Sequence, residues 1–298
     1  MLNKFTVIGG DLRSAKLAQL LADDGNIVTA CGLERAAEIT TSKNIIIEND
    51  LDNALEESDI IIAPIPFSKN GEDVMTVFSD RRIKIDDLLK NYEDKILVAG
   101  NISQDIFDKL SNYYKIVYDL MSSEQLTILN TIATAEGAID NIIQNTDTII
   151  HGSNILILGF GRVAKTLAYK LKALDAMVTC AARKEADLAW IKTYGYDSLN
   201  INFIKDKLEK FDVIINTVPH LIIGEEELRC VRNDVLLVDL SSKPGGIDFK
   251  EADRLNIKYV WALALPGKVA PLSSAVFIKD AIYEVVNTGK KWYNKCIM

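Results

Sequence analysis

Residues Asn154 to Lys165 read N-I-L-I-L-G-F-G-R-V-A-K, and this stretch constrains the fold more than any other. Ile155-Leu156-Ile157-Leu158 is a short, wholly apolar run. Such a run suits a strand buried on both faces of a parallel sheet. Gly159, Gly161 and Ala164 follow in G-x-G-x-x-A spacing, and Lys165 to Ala173 reads as a helix. A strand, a glycine turn and a helix in that order are the context a dinucleotide fingerprint requires. Gly159 permits the tight turn, Gly161 leaves room for a pyrophosphate against the backbone, and Ala164 lets helix and strand pack closely. The helix N-terminus then offers free N–H groups and the positive end of its dipole. A glycine-rich turn with no ligand is the other reading, and the flanking strand and helix favour the dinucleotide site.

A chain of 298 residues suits two domains, each able to bury a core. Hydrophobic residues make up 48% and charged residues 26%, the balance of a globular protein. The net charge is -8 and no basic stripe interrupts it, which excludes nucleic acid as the main partner. Cys31, Cys180, Cys230 and Cys296 are scattered, without a C-x-x-C pair or a nearby His. That spacing argues against a metal site or a disulfide framework and fits a reducing cytoplasm, with each thiol packing as a small apolar group. Phe5 to Ile8 runs straight into a glycine turn, which is not a signal-peptide layout. No apolar run reaches the roughly 18 residues of a membrane span.

Strand and helix patterns alternate through the first part. Phe5–Ile8 is a strand, Gly9-Gly10-Asp11-Leu12-Arg13 a turn, and Leu12–Ala22 a helix. The turn lacks the later small residues of the fingerprint, so it is a weak nucleotide site. As a carboxylate site it has a helix N-terminus and Arg13; a tight turn with a solvated arginine is the equal alternative. Strands are expected at Asn26–Ala30, Ile45–Ile47, Asp59–Ala63, Ile96–Ala99 and Lys115–Tyr118, and helices at Leu51–Glu57, Ile83–Tyr92 and Ile102–Leu110. Val74–Phe78 reads as a hairpin strand. Pro64 and Pro66 fix the loop that carries Ser68, Lys69 and Asn70, at the strand edge where open α/β sheets bind ligands.

From Ser123 to about Asp147 apolar residues fall near helical spacing, with no Pro and one Gly, and predict a long linking helix. Gly137 in its middle costs about 1 kcal/mol relative to Ala, so either a close approach or plain helix packing stands behind it. Beyond the fingerprint, Met177–Ala182 is a strand ending in Arg183-Lys184. NAD enzymes usually place an Asp or Glu there for the ribose 2′-hydroxyl. Two cations suit a 2′-phosphate instead and favour NADP, while Glu185, one step later, keeps NAD open. Helices follow at Ala186–Tyr194 and Ile204–Glu209. The strand Asp212–Pro219 ends in Asn216-Thr217-Val218-Pro219, expected beside the nicotinamide ribose, and His220 follows. An imidazole there is a candidate proton acceptor, or else a surface or cofactor-lining side chain. Val235–Leu240 and Tyr259–Ala262 are the remaining strands, and Ser273–Asn287 is a closing helix. Rigid loops at Ser241–Asp248 and Leu265–Pro271 each carry a Lys beside Pro and Gly.

The fold class is therefore α/β: two doubly wound, Rossmann-like parallel-sheet domains linked by a long helix. The expected boundaries are 1–122 plus 274–298 for a discontinuous substrate domain, 123–150 for the linking helix and 151–273 for the NAD(P)-binding domain.

Taken as an ordered set, Gly9-Gly10-Asp11-x-Arg13, Thr134-Ala135-Glu136-Gly137-Ala138-Ile139, Gly159-Phe160-Gly161-Arg162-Val163-Ala164, Ala182-Arg183, Asn216-Thr217-Val218-Pro219, Asp239-Leu240-Ser241-Ser242-Lys243-Pro244-Gly245-Gly246 and Leu265-Pro266-Gly267-Lys268-Val269-Ala270-Pro271 resemble the dipicolinate synthase A-subunit family over almost the whole chain. The second half is also similar, more distantly, to alanine dehydrogenase, transhydrogenase and shikimate dehydrogenase domains. The resemblance implies an NADP-dependent oxidoreductase in the cytoplasm of the mother cell of a sporulating bacterium, on the lysine and diaminopimelate route. It implies dihydrodipicolinate, or its hydroxylated tetrahydro precursor, as substrate and dipicolinate as product. It also implies a partner, the dipicolinate synthase B-subunit, resembling a flavoprotein.

A small dicarboxylate in an acidic protein needs local cations, and Arg13, Lys69, Lys243 and Lys268 lie on loops expected at strand ends, with Ser68, Ser242 and Ser273 able to add hydrogen bonds. Arg13 and Lys268 are expected to hold carboxylates, and His220, Glu136 or a water to take the proton. Gly159, Phe160, Gly161, Arg162, Val163, Ala164, Arg183, Lys184, Asn216, Thr217, Val218 and Pro219 are the expected cofactor contacts. A homo-oligomer is expected, with no membrane contact. An NAD(P)-dependent amino- or hydroxy-acid dehydrogenase keeps this fold with another substrate, and a nucleotide-binding protein without chemistry of its own is a third reading.

Overall fold

A computed structural model of the chain describes residues 3–296, with side chains as far as Thr288. The Cys296 side chain and the last two residues of the expected 274–298 segment lie outside the described residues. Two compact units result: residues up to Thr127 with those from Ala270 onward, and Ile128–Val269.

The first unit runs β1 (Lys4–Ile8), α1 (Leu12–Asp23), β2 (Ile27–Cys31), α2 (Ala37–Thr40), β3 (Ile45–Ile47), α3 (Leu51–Glu56), β4 (Ile60–Ile62), β5 (Tyr92–Ala99), α4 (Gln104–Leu110) and β6 (Tyr114–Asp119). Helix α5 (Glu124–Asn145) leads to the second unit. There β7 (Asn154–Leu158), α6 (Arg162–Ala173), β8 (Met177–Ala182), α7 (Glu185–Thr193), β9 (Asp197–Asn200), β10 (Val213–Asn216), α8 (Glu225–Leu228), β11 (Leu236–Asp239), α9 (Phe249–Arg254), β12 (Lys258–Trp261) and α10 (Leu265–Val269) follow in turn. Helix α11 (Pro271–Cys296) returns to the first unit.

Each unit holds one six-stranded sheet, ordered β3-β2-β1-β4-β5-β6 and β12-β11-β10-β7-β8-β9. Every neighbouring pair is parallel. Numbered from its own first strand, each sheet reads 3-2-1-4-5-6, the dinucleotide-fold order. The central strands are apolar because helices cover both faces: Ile155 to Leu158 are all fully buried. Helix α11 belongs to the first unit because Ala275, Ile278, Ile282 and Val286, spaced three and four apart, enter the core that α1 lines with Leu17, Ala18 and Leu21. Each of the three larger side chains contributes about 1.5–3 kcal/mol by burial.

Several elements differ from the sequence expectation. Ile83–Tyr92 is not a helix: it holds one 3-10 turn, Ile85–Leu88, and Tyr92 opens β5. Ile83 and Ile85 are both buried with exposed Lys84 between them, a period of two that marks extended chain. Val74–Phe78 forms no strand; its pairing is limited to single bridges, Val74 with Ser68 and Thr76 with Gly10. Its partners are turns, so no ladder propagates. Lys205–Lys210 is 3-10 rather than α-helical. The 265–271 stretch, expected as a loop, carries α10, and β9 occupies an edge where no strand was expected.

Candidate functional site

The carboxyl ends of the second sheet form a straight row. Leu199, Ala181, Leu158, Asn216, Asp239 and Trp261 are in register across its six strands. The strand order reverses between β7 and β10, and a crevice past those two ends is where open sheets bind ligands. Gly159 follows β7 with φ +99°, a region that only glycine enters at no steric cost. A Cβ there would lie 2.5 Å from Thr217 Oγ1 and 2.9 Å from Val218. Its N–H donates to Ala181 O at 2.8 Å.

Gly161 caps α6 differently. Its φ of -81° suits any residue, and a Cβ would meet nothing within 4 Å. No side chain caps the helix and no acidic residue sits in its first turn. Open space, an N-terminus without a side-chain cap among the described residues and a positive dipole end coincide at one point, so the residues present fit the pyrophosphate of a nicotinamide dinucleotide. Ala164 is fully buried against the sheet, and Phe160 is buried with Lys165 Nζ 5.4 Å from its ring centroid. Val163 is half-buried, and Arg162 is exposed at the first helical position. Arg183 and Lys184 stand exposed past β8, and Glu185 opens α7.

The end of β10 is organised differently from what the sequence suggested. Asn216 is fully buried, and its Nδ2 donates to Val218 O at 2.9 Å and to Asp239 Oδ1 at 2.9 Å. Thr217 Oγ1 donates to Leu158 O at 2.8 Å. Both side chains therefore serve the loop's internal geometry, leaving Val218, Pro219 and His220 as its outer surface. His220 is exposed, with its N–H on Val218 O. Sequence reasoning assigned no role to Asp239. Its carboxylate is fully buried and accepts from Ser241 N, Ser241 Oγ, Asn216 Nδ2 and Gly246 N at 2.6–2.9 Å. Trp261 Nε1 donates to Ser241 O at 3.0 Å. The available signal was a charge closing the apolar run Val235–Val238.

The other candidate residues fall in distinct settings. Glu136 is exposed, and its carboxylate pairs with Lys170 Nζ at 2.8 Å. Gly137 is explained by helix packing: Leu265 and Val269 of α10 would lie 3.1 and 3.2 Å from a Cβ there. Lys243 and Lys268 are exposed, on the loop after β11 and on α10. In the first unit Arg13 is buried, not solvated. Its Nε and Nη2 grip Asp11 at 2.7–3.2 Å, and Nη2 also meets Ile65 O. The bidentate carboxylate expected from a substrate is thus supplied by the chain itself. Ser68 Oγ donates to Asp73 O at 2.6 Å and accepts from Gly71 N, which closes the turn that carries exposed Lys69. Ser273 is exposed in the first turn of α11.

Burial raises the Cys31 thiol to about 11 and the Cys180 thiol to about 12, so neither is a nucleophile at neutral pH. Among the described residues no group of three or more His, Cys, Asp or Glu could hold a metal, and no helix is long and apolar enough to cross a membrane.

Two Rossmann-type sheets, one with an open glycine cap at its switch point, define a nicotinamide-nucleotide-binding protein of the dehydrogenase class. In agreement, residues 130–261 match the family described as the NAD binding domain of S-adenosyl-L-homocysteine hydrolase. Residues 4–121 match the N-terminal domain of the dipicolinate synthase A-subunit. The dipicolinate synthase A-subunit of Bacillus subtilis (strain 168) is 30% identical over 286 residues, covering 95% of each chain. Its crystal structure, from Bacillus subtilis, superposes with a TM-score of 0.84 at 29% identity over 97% of each chain. A shikimate dehydrogenase (NADP(+)) of Clostridium botulinum (strain Hall / ATCC 3502 / NCTC 13319 / Type A) is 27% identical over 191 residues, 56% of this chain and 70% of its own. The chain belongs to the dipicolinate synthase A-subunit family.

Proposed function

We propose that the protein oxidises dihydrodipicolinate, or its hydroxylated tetrahydro precursor, to dipicolinate. The similarity to the dipicolinate synthase A-subunit over 95% of the chain carries this reading. NADP is the cofactor it favours, supported by exposed Arg183 and Lys184 at the end of β8 and by the relative that uses NADP(+). When bound, the cofactor supplies a hydride acceptor.

Oxidation of the dihydro ring removes a hydride and a proton, and aromatisation to the pyridine drives it. Gly161 and the first turn of α6 hold the pyrophosphate, and Arg183 and Lys184 hold the 2′-phosphate. The loop after β10 fixes the nicotinamide ribose through Val218 and Pro219. Lys243 and Lys268 of the second unit neutralise the substrate carboxylates. His220 takes the proton, because the Glu136 carboxylate is engaged by Lys170. Arg13 holds the Asp11 turn in place.

In this reading the chain acts with the flavoprotein-like B-subunit of dipicolinate synthase, assembles as a homo-oligomer, and works in the mother-cell cytoplasm of a sporulating bacterium. The test mixes the purified chain, with and without that partner, with NADP and freshly prepared dihydrodipicolinate. Absorbance of NADPH together with a pyridine dicarboxylate product is the expected result. NADP binding without turnover in either mixture would overturn the substrate. Turnover of shikimate in its place would point to the hydroxy-acid reading that the shikimate dehydrogenase similarity supports.

A further inference from the structure

We infer that the buried charge of Asp239 makes the second unit bind the oxidised nicotinamide cofactor in preference to the reduced one. The inference rests on the nicotinamide-cofactor reading of the site and adds a property that reading does not contain.

Asp239 is fully buried at the last position of β11. An ionised carboxylate is acceptor-only, and all four of its contacts come from donors: Ser241 N, Ser241 Oγ, Asn216 Nδ2 and Gly246 N. None of the four is a cation. The negative charge is therefore held by dipoles, with no cation among its hydrogen-bond partners. Because the group is withdrawn from water, salt screens that field weakly.

The position matters as much as the charge. The adenosine end of a dinucleotide lies past β8 and its pyrophosphate past β7, so its nicotinamide end lies past β10 and β11. Asp239 is two strands from Leu158 in the same row, roughly 10 Å at the usual strand spacing. The oxidised nicotinamide ring carries a positive charge and the reduced ring is neutral. The phosphates, riboses and adenine are common to the two forms, so a fixed negative charge on this side acts on the difference at the ring. The four hydrogen bonds also join the loops after β10 and β11, since Gly246 O accepts from Ile222 N and Ile223 N. A purely structural role for Asp239 would affect both forms of the cofactor alike.

The experiment measures dissociation constants for NADP+ and NADPH, and for NAD+ and NADH, by calorimetry on the full chain. The wild type is expected to bind the oxidised member at least as tightly as the reduced one. Asp239→Asn, nearly the same shape without the charge, is expected to weaken oxidised binding about fivefold relative to reduced binding. Ser241→Ala keeps the charge and removes two hydrogen bonds, Oγ to Asp239 Oδ1 and Asn216 Nδ2 to Oγ, and should change both forms by the same factor. Equal weakening of both forms by Asp239→Asn, or a ratio shift as large in Ser241→Ala, overturns the inference. If Asp239→Asn lacks a cooperative thermal transition, the wild-type ratio decides, and any preference for the reduced form overturns the inference. Failure of the wild type to bind any of the four removes the cofactor reading itself; binding with the wrong ratio removes only the role of Asp239.

Discussion

The two sheets have the same strand order, and each follows its first strand with a glycine turn and a helix, but the turns end up in opposite states. After β7, Gly161 leaves open space at the head of an uncapped α6. After β1, the equivalent space is full. The Asp11 carboxylate caps α1 by accepting from Arg13 N, and the Arg13 guanidinium neutralises it. Gly10 N donates to Met75 O at 2.7 Å and Val77 N donates to Gly10 O, so the 74–77 segment lies across the turn. A Cβ on Gly9 would sit 2.7 Å from Met75 O. One unit keeps the anion position of its helix free, and the other fills it with its own carboxylate. Shared topology places the turn, but the side chains and the insertion around it decide whether it is a ligand site.

The largest expected effects come from exchanging the glycines. Gly10→Ala would set a Cβ 2.0 Å from Ser14 Oγ at φ +103°, and should destabilise the fold by about 4 kcal/mol in denaturant titration. Gly161→Asp should leave the melting temperature unchanged or slightly higher, because Asp is a good N-cap, while cofactor affinity falls more than about 100-fold. A large loss of stability in Gly161→Asp would erase the contrast. Arg13→Ala comes next. It leaves Asp11 without its counter-charge and should cost about 2–3 kcal/mol, discounted because Asp11 is partly exposed. A change in substrate KM with no change in stability would return Arg13 to substrate binding.

Replacing both Arg183 and Lys184 with Ala should weaken NADP+ about tenfold and leave NAD+ binding unaltered, as competition assays would read. The smallest effect concerns the helix that closes only the first unit. Burial, and then its bond to Asp24, raises the Tyr283 phenol to about 12. A folded value above the unfolded one of about 10 gives stability that is present below pH 10 and lost as pH rises toward 12. Wild type should therefore lose about 1 kcal/mol more than Tyr283→Phe across that window. Parallel slopes would mean α11 docks by apolar contact alone.

Short apolar strands were legible because burial on both faces leaves a continuous run, as in Ile155–Leu158 and Ile60–Ile62. The fingerprint was legible because each small residue answers a separate local constraint. Ile83–Tyr92 was not, since Leu88 and Leu89 imitate helical spacing while Ile83 and Ile85 alternate. Arg13 was half legible: its place beside a helix N-terminus could be read, but its partner is Asp11, two residues away, and nothing in the spacing distinguishes an internal carboxylate from a ligand's. Asn216 and Asp239 lie 23 residues apart and meet only because β10 and β11 are in register. Such a pairing belongs to the sheet, and no local pattern announces it.

Helix α11 has a consequence for how the chain acquires its structure as the ribosome makes it. The second unit is one uninterrupted segment, Ile128–Val269, and needs nothing made later. The first unit lacks part of its interior until Ile278, Ile282 and Val286 have left the exit tunnel. Domains of a nascent protein usually complete in the order of synthesis. Here the order is reversed: the half translated first waits, with the groove along α1 uncovered, for the last helix to arrive.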